Sequence, residues 1–192
     1  MPGWHHETDM ALRDGNMGTR QVKRLLSACM LLLLSMQSAA GDLSLFSEIP
    51  LGNEADISQR GADLVAHIQQ SGTNHGAVEQ QGNSHNARLL QNGYANQADV
   101  IQYGSQQQAD ISQLGWENLA VVAQYGMGNS VKIDQNGLYN TAIVEQVGEY
   151  NRAYIQQYGT GNRADITQNG TANGISVSQY GAGMNVSIQQ WD

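Results

Sequence analysis

Residues 162–170 read NRADITQNG, and residues 151–159, 11 positions earlier, read NRAYIQQYG. Asn, Ala, Ile, Gln and Gly stand at alternate places in both stretches. A fixed period is the first property to settle, because it decides which fold classes remain open. The register follows from one glutamine per unit: Gln59, Gln70, Gln80, Gln91, Gln102, Gln113, Gln124, Gln135, Gln146, Gln157, Gln168, Gln179 and Gln190. Successive steps are 11 residues, with one step of 10 where a residue is missing near Thr73 and Asn74. Two positions after each glutamine comes a turn glycine: Gly61, Gly72, Gly82, Gly93, Gly104, Gly115, Gly126, Gly137, Gly148, Gly159, Gly170 and Gly181. The last unit departs, with Asp192 in that place, so 13 units fill residues 53–192.

An 11-residue apolar period can specify a right-handed helical coil. Here the apolar residues lie four and two positions before each glutamine, as in Ala109 and Ile111 or Ala164 and Ile166. That spacing of two belongs to a strand. A glycine in every unit would also cost a helix about 1 kcal/mol each time. Each unit therefore reads as a strand of about seven residues followed by a tight turn, with glycine supplying the backbone freedom. One face presents Asn, Ala, Ile or Val, and Gln. The charged residues of the strands, among them Glu54, Asp56, Glu79, Arg88, Asp99, Asp110, Lys132, Asp134, Glu145, Arg152, Arg163 and Asp165, all fall on the other face. His85 is the one ionisable group at an inward position.

Odd and even units differ, so two strands make one rung and the full repeat is 22 residues. Odd units carry inward asparagine at Asn53, Asn74, Asn96, Asn118, Asn140 and Asn162; even units begin with Leu64, His85 and Gln107 and adopt it at Asn129, Asn151 and Asn173. The expected fold is all-β: an amyloid-like β-solenoid of strand-turn-strand rungs, six and a half in number, with two facing parallel sheets. Such sheets lie about 10 Å apart and their rungs about 4.8 Å apart. Small and β-branched residues suit the narrow interior, and stacked carboxamides bond up and down the ladder, which offsets the cost of burying them. Residues 22 apart become neighbours, so Arg88, Asp110 and Lys132 form an outward column of alternating sign, while Leu119, Val121 and Ile143 form an apolar one. The final unit keeps the inward pattern at Val186, Ile188 and Gln190 without an atypical cap, and this exposed edge is expected to recruit further strands.

The remaining features bound the function. The 192 residues carry a formal charge of -8, which disfavours nucleic acid as a partner. Aromatics are 6% and charged residues 14% of the chain, too little for a mixed globular core. Cys29 is the single cysteine, so there is no disulfide framework and no sulfur-based metal site. Arg20, Lys23 and Arg24 precede an apolar run from Leu25 to Met36, and Ser38-Ala39-Ala40 offers a cleavage site before Gly41. Residues 1–40 are therefore expected to be a leader and secretory signal peptide, and residues 41–52 a short non-repetitive lead. Calcium-binding solenoids need a nine-residue period with Asp in the turn. Ice-binding would show an outward Thr ladder, and a glycosidase needs convergent carboxylates; none of these patterns occurs. Asp99, Asp110 and Asp165 read as solubilising gatekeepers, His67 and His75 as solvated strand residues, and Tyr103, Tyr125, Tyr158 and Tyr180 as stacks beside the turns. No catalytic residue, metal or cofactor is expected.

The spacing Asn-x-Ala-x-Ile/Val-x-Gln-x-Gly, with stretches such as NLAVVAQYG and NSVKIDQNG, resembles the repeat of the bacterial curlin family over residues 53–190. The Ala-led units and the LAVVAQ stretch are most similar to the minor curlin subunit. The resemblance implies secretion across the outer membrane and a place in extracellular functional-amyloid fibres at the cell surface. It further implies that the chain nucleates the major curlin subunit, and that its partners are that subunit, itself, the curli secretion channel and surface accessory proteins. A self-polymerising major subunit and a monomeric solenoid adhesin remain as alternatives.

Overall fold

The structure, a computed structural model, describes residues 52–192. The expected signal peptide, and the lead as far as Leu51, lie outside the described residues. Eleven strands follow in chain order: β1 Glu54–Ala62, β2 Val65–Asn83, β3 Asn86–Ser105, β4 Gln108–Trp116, β5 Leu119–Met127, β6 Ser130–Leu138, β7 Thr141–Glu149, β8 Arg152–Thr160, β9 Arg163–Thr171, β10 Gly174–Ala182 and β11 Asn185–Trp191. Every pairing is parallel, and from β3 onward partners are 22 residues apart: Ile111 lies beside Ile133 and Ile133 beside Ile155. The all-β solenoid read from the repeat is thus the observed fold.

Two details differ from the sequence reading. The 13 units appear as 11 strands, because β2 and β3 each run through two units, with 19 and 20 residues. Their continuity joins the two expected sheets into one wound sheet, in the order β10-β8-β6-β4-β3-β5-β7-β9-β11. Its two sides face each other across the interior. The strands that fill one unit also reach nine residues in most cases, since pairing continues through the glycine to the residue after it.

The corner has a physical explanation in the one short unit. Elsewhere the chain turns at the residue two after the glycine, which adopts the left-handed conformation, as at Glu117 (φ 54) and Tyr139 (φ 58). Between Gly72 and Asn74 that residue is absent, so β2 passes the corner without the interruption. The adjacent rung accommodates the difference by bulging out Ala95 (φ 55) opposite the register shift between Thr73 and Asn74.

Apolar positions from both sides close one core. Leu89, Ile111, Ile133, Ile155 and Ile166 are wholly buried, with Ala87, Ala98, Ala120, Ala142 and Ala164 between them. Alternation is regular, with the outward but buried Ala123 of β5 as an exception: β4 buries Ala109, Ile111 and Gln113 and leaves Asp110 and Ser112 partly exposed. β-branched chains stack well on such a pleated surface, and alanine keeps the two sides close.

The glycine two residues after each glutamine is required by the stack itself. All 12 have φ between +102° and +144°. From Gly61 to Gly159, a Cβ added there would lie 1.7–2.1 Å from the carbonyl oxygen of the equivalent glycine in the following rung. The residue two later bears no such restriction: Gly161 (φ 66) has open space around it, and eight of the equivalent positions hold non-glycine residues. Gly137→Ala is therefore expected to cost at least about 3 kcal/mol, from strain and a forced shift of the next rung. Gly161→Ala should cost about 1 to 2 kcal/mol. Denaturant unfolding of the two variants checks the difference, and equal losses would contradict this view of the turn.

Candidate functional site

The inward amides form two ladders that run the length of the stack. On the odd side Gln59 Nε2 donates to Gln80 Oε1 at 2.7 Å, and the series continues through Gln102, Gln124, Gln146, Gln168 and Gln190 at 2.7–3.0 Å. On the even side Gln70, Gln91, Gln113, Gln135, Gln157 and Gln179 follow at 2.8–2.9 Å. Every bond has the same sense, from the Nε2 of one rung to the Oε1 of the next toward the C-terminus. The second amide proton reaches across the interior to a main-chain carbonyl of the facing strand, as from Gln113 to Gln97 O at 2.8 Å and from Gln135 to Leu119 O at 2.9 Å. One side chain thus ties its rung both to the next rung and to the opposite side.

Asparagine does related work at the turns. The main-chain N–H of Asn118 donates to Asn96 Oδ1 at 3.1 Å, and that of Asn140 to Asn118 Oδ1 at 3.2 Å. The Nδ2 of each then reaches the glycine carbonyl of the following turn: Asn118 to Gly137, Asn129 to Gly148, Asn140 to Gly159, Asn151 to Gly170 and Asn162 to Gly181, each at 3.0 Å. Where the even units lack asparagine, His85 Nδ1 accepts from the Gln107 N–H at 3.2 Å and Gln107 Oε1 from the Asn129 N–H at 3.1 Å. Accepting at Nδ1 places the His85 proton on Nε2, which lies 3.1 Å from Gln81 O. No buried side-chain nitrogen or oxygen among the described residues lacks a partner. That is the condition under which a polar interior is tolerated.

The central members, from Asn74 and Gln80 through Asn162 and Gln168 to Gln179, are buried. Asn53 and Gln59 at one end are exposed, and Gln70, Asn173 and Gln190 are partly so. Val186 and Ile188 lie half-buried in β11, which pairs with β9 on one side. Sequence reasoning missed the second bond of each amide, to a carbonyl of the facing strand or the next turn, because it joins residues 16 or 19 apart. It also missed Asp192, whose carboxylate accepts from Thr171 N–H at 3.0 Å and Asn173 Nδ2 at 3.4 Å.

On the outer faces Arg88, Asp110 and Lys132 stand in register. Lys132 pairs with Asp134 of its own strand at 3.6 Å and lies 5.6 Å from the Tyr154 ring centroid. Val121 stacks on Ile143, with Asp99 and Asp165 at either end of that pair. Leu119 stands beside them over Thr141. Burial raises the Asp99 pKa, partly offset by the Gln97 amide and by His75. Tyr103 and Tyr125 stack at 5.6 Å, and Tyr158 and Tyr180 at 5.2 Å. Burial, then the hydrogen bond to Glu79, pushes the Tyr103 hydroxyl up to about 12.

The ladder has a measurable worth. Gln113→Leu removes the bonds to Gln91, Gln97, Asn118 and Gln135, leaving the Gln135 side-chain oxygen without its amide donor, and is expected to cost at least about 3 kcal/mol. Gln113→Glu directs a carboxylate at those same acceptors, so its pKa in the fold rises above the unfolded value. The penalty is then full above the folded pKa and falls as pH drops through it. Urea unfolding at neutral and at acidic pH should show Gln113→Glu relatively rescued by acid and Gln113→Leu unchanged.

Comparison with known families places this geometry. The curlin associated repeat matches residues 86–115, 108–137 and 140–170, which lie within β3 to β9. No curated protein matches the chain. Over these stretches, which the Gln and Gly columns traverse, the chain carries the curlin associated repeat.

Proposed function

We propose that the chain is a secreted subunit of extracellular curli-type fibres that templates polymerisation of the major curlin subunit at the cell surface. The observation that carries this reading is that the ladders end open. The wound sheet has unpaired outer strands at both ends of the described stack, and its hydrogen-bonding columns stop there while still carrying unfilled positions. Such an edge adds strands by main-chain pairing, and matching amide columns make the addition selective. The first rungs of a fibre lose chain entropy before stacking rewards them. A chain that presents a finished edge removes that step for the subunits that follow.

The signal peptide read at residues 1–40 supports export, and the lead at residues 41–52 is the segment proposed to engage the secretion channel. Within this reading the chain acts through structure, with no catalytic residue and no cofactor. The Gly-x-Gly-Asn turns at Gly126 and Gly159 resemble those of a self-polymerising major subunit. They are a weak argument for it, because their second glycines, Gly128 and Gly161, fill the left-handed position that Glu117 and Tyr139 fill elsewhere.

The test uses residues 41–192, which contain every described strand. Added at about one part in fifty to soluble major curlin, this form should abolish most of the lag in amyloid-dye fluorescence. A shuffled-repeat control should not. An unchanged lag, with this chain polymerising alone when concentrated, would favour the fibre-building alternative.

A further inference from the structure

The two ends of the stack are chemically unequal. At the N-terminal end β1 belongs to a complete unit, Asn53, Ala55, Ile57, Gln59 and Gly61, and every residue of the strand is exposed. Because the glutamine bonds share one sense, this end presents amide oxygens as acceptors in the glutamine columns; the asparagine bonds run the other way, from Asn118 back to Asn96, so it presents donors in that column. Gln59 and Gln70 donate onward to Gln80 and Gln91, but their own Oε1 atoms receive no amide from the described residues. The carbonyl of Gly61 likewise occupies the place that, at Gly137 or Gly159, receives an asparagine amide from 19 residues earlier, and no described residue holds that position for it.

At the C-terminal end β11 and its flanking residues depart from the unit in two columns. Met184 stands in the asparagine column: its N–H donates to Asn162 Oδ1 at 3.1 Å, but its thioether gives a further rung no Oδ1 to bond and no amide to donate. Asp192 stands in the glycine column. Its carboxylate takes the Asn173 amide that a glycine carbonyl receives in earlier turns. In the conformation of the column glycines, a Cβ at this place would meet the next carbonyl, as the 1.7–2.1 Å approaches at Gly61 to Gly159 measure. An added rung therefore meets either a side chain or a carboxylate where the stack needs a bare backbone.

We infer that templating is polar and heterotypic: the N-terminal edge, β1 with the first half of β2, recruits, and its partner is a curlin-repeat chain whose last rung keeps asparagine and glycine in these columns. A second copy of this chain is a poor occupant, because stacking in continuous register sets its Met184 and Asp192 against the first half of β2 in that edge. The inference rests on the templating function proposed above, and it moves the recruiting edge from the sequence-based expectation at Val186–Gln190 to the opposite end. The argument is continuity with the interface already present between rungs, which the arriving chain would extend with the same bonds.

Residues 41–192 with Met184→Asn and Asp192→Gly supply the test, because this double variant carries the complete end the recruiting edge requires. Alone, it is expected to polymerise with a lag at least about tenfold shorter than the parent chain. Trace parent chain should shorten that lag further. Trace Ile57→Lys should not, since Ile57 is 46% exposed on β1 and its substitution places a charge in the docking column. Trace Ile188→Lys on β11 should act like the parent. Circular dichroism checks that both lysine variants keep the strand content of the parent. Loss of templating by Ile188→Lys with retention by Ile57→Lys, equal loss by both, or equal lags for parent and double variant would overturn the inference while leaving templating intact. A parent chain that shortens neither this lag nor that of the major subunit would remove the templating function itself, and the inference with it.

Discussion

A single hydrogen bond, from the side-chain amide of one glutamine to that of the glutamine one rung on, sets the terms for the rest of the structure. It holds at 2.7–3.0 Å between successive rungs on both sides of the stack. An amide buried without a partner would cost far more than such a bond contributes net. The interior is therefore stable when consecutive rungs keep one register, and a slip of one residue would break every column at once. The core of alanine, isoleucine and valine supplies the apolar burial, but it is tolerant of register in a way the amides are not. Specificity lies in the polar columns and driving force in the apolar ones.

The glycine column imposes the complementary constraint. It lets the backbones of adjacent turns approach until one carbonyl fills the space of the next rung's missing Cβ. The left-handed residue two positions later meets no such backbone, so Glu117, Tyr139 and Tyr150 all serve there. Two glycines close together in the sequence can thus have unequal importance, which composition does not reveal.

How far the fold could be read in advance follows from the same distinction. The strand period, the 22-residue rung and the inward face were legible because each leaves a mark at a fixed spacing, as in Asn140, Ala142, Val144 and Gln146. The missing residue near Thr73 was visible, but its consequence was not: the left-handed position it removes carries no fixed residue type. The transverse bonds of Gln113 and Asn118 were hidden because their acceptors are carbonyls, which every residue carries. The Lys132–Asp134 pair arose within a strand, although the column Arg88, Asp110, Lys132 suggested pairing between strands. At the ends, where the pattern breaks, single residues such as Met184 and Asp192 matter more than the repeat, and they turn a symmetrical-looking stack into one with direction.

The central claim is that glutamines 22 residues apart, and not 11 apart, share amide bonds within one chain. Nuclear magnetic resonance on labelled chain diluted in unlabelled chain would read intramolecular contacts alone. The account predicts through-space contact between the side-chain amides of Gln113 and Gln135 and between those of Gln135 and Gln157. Contact of Gln113 with Gln124 in place of Gln135 would contradict it, because the two-sided rung, the opposed columns and the polarity of the ends would all fall together.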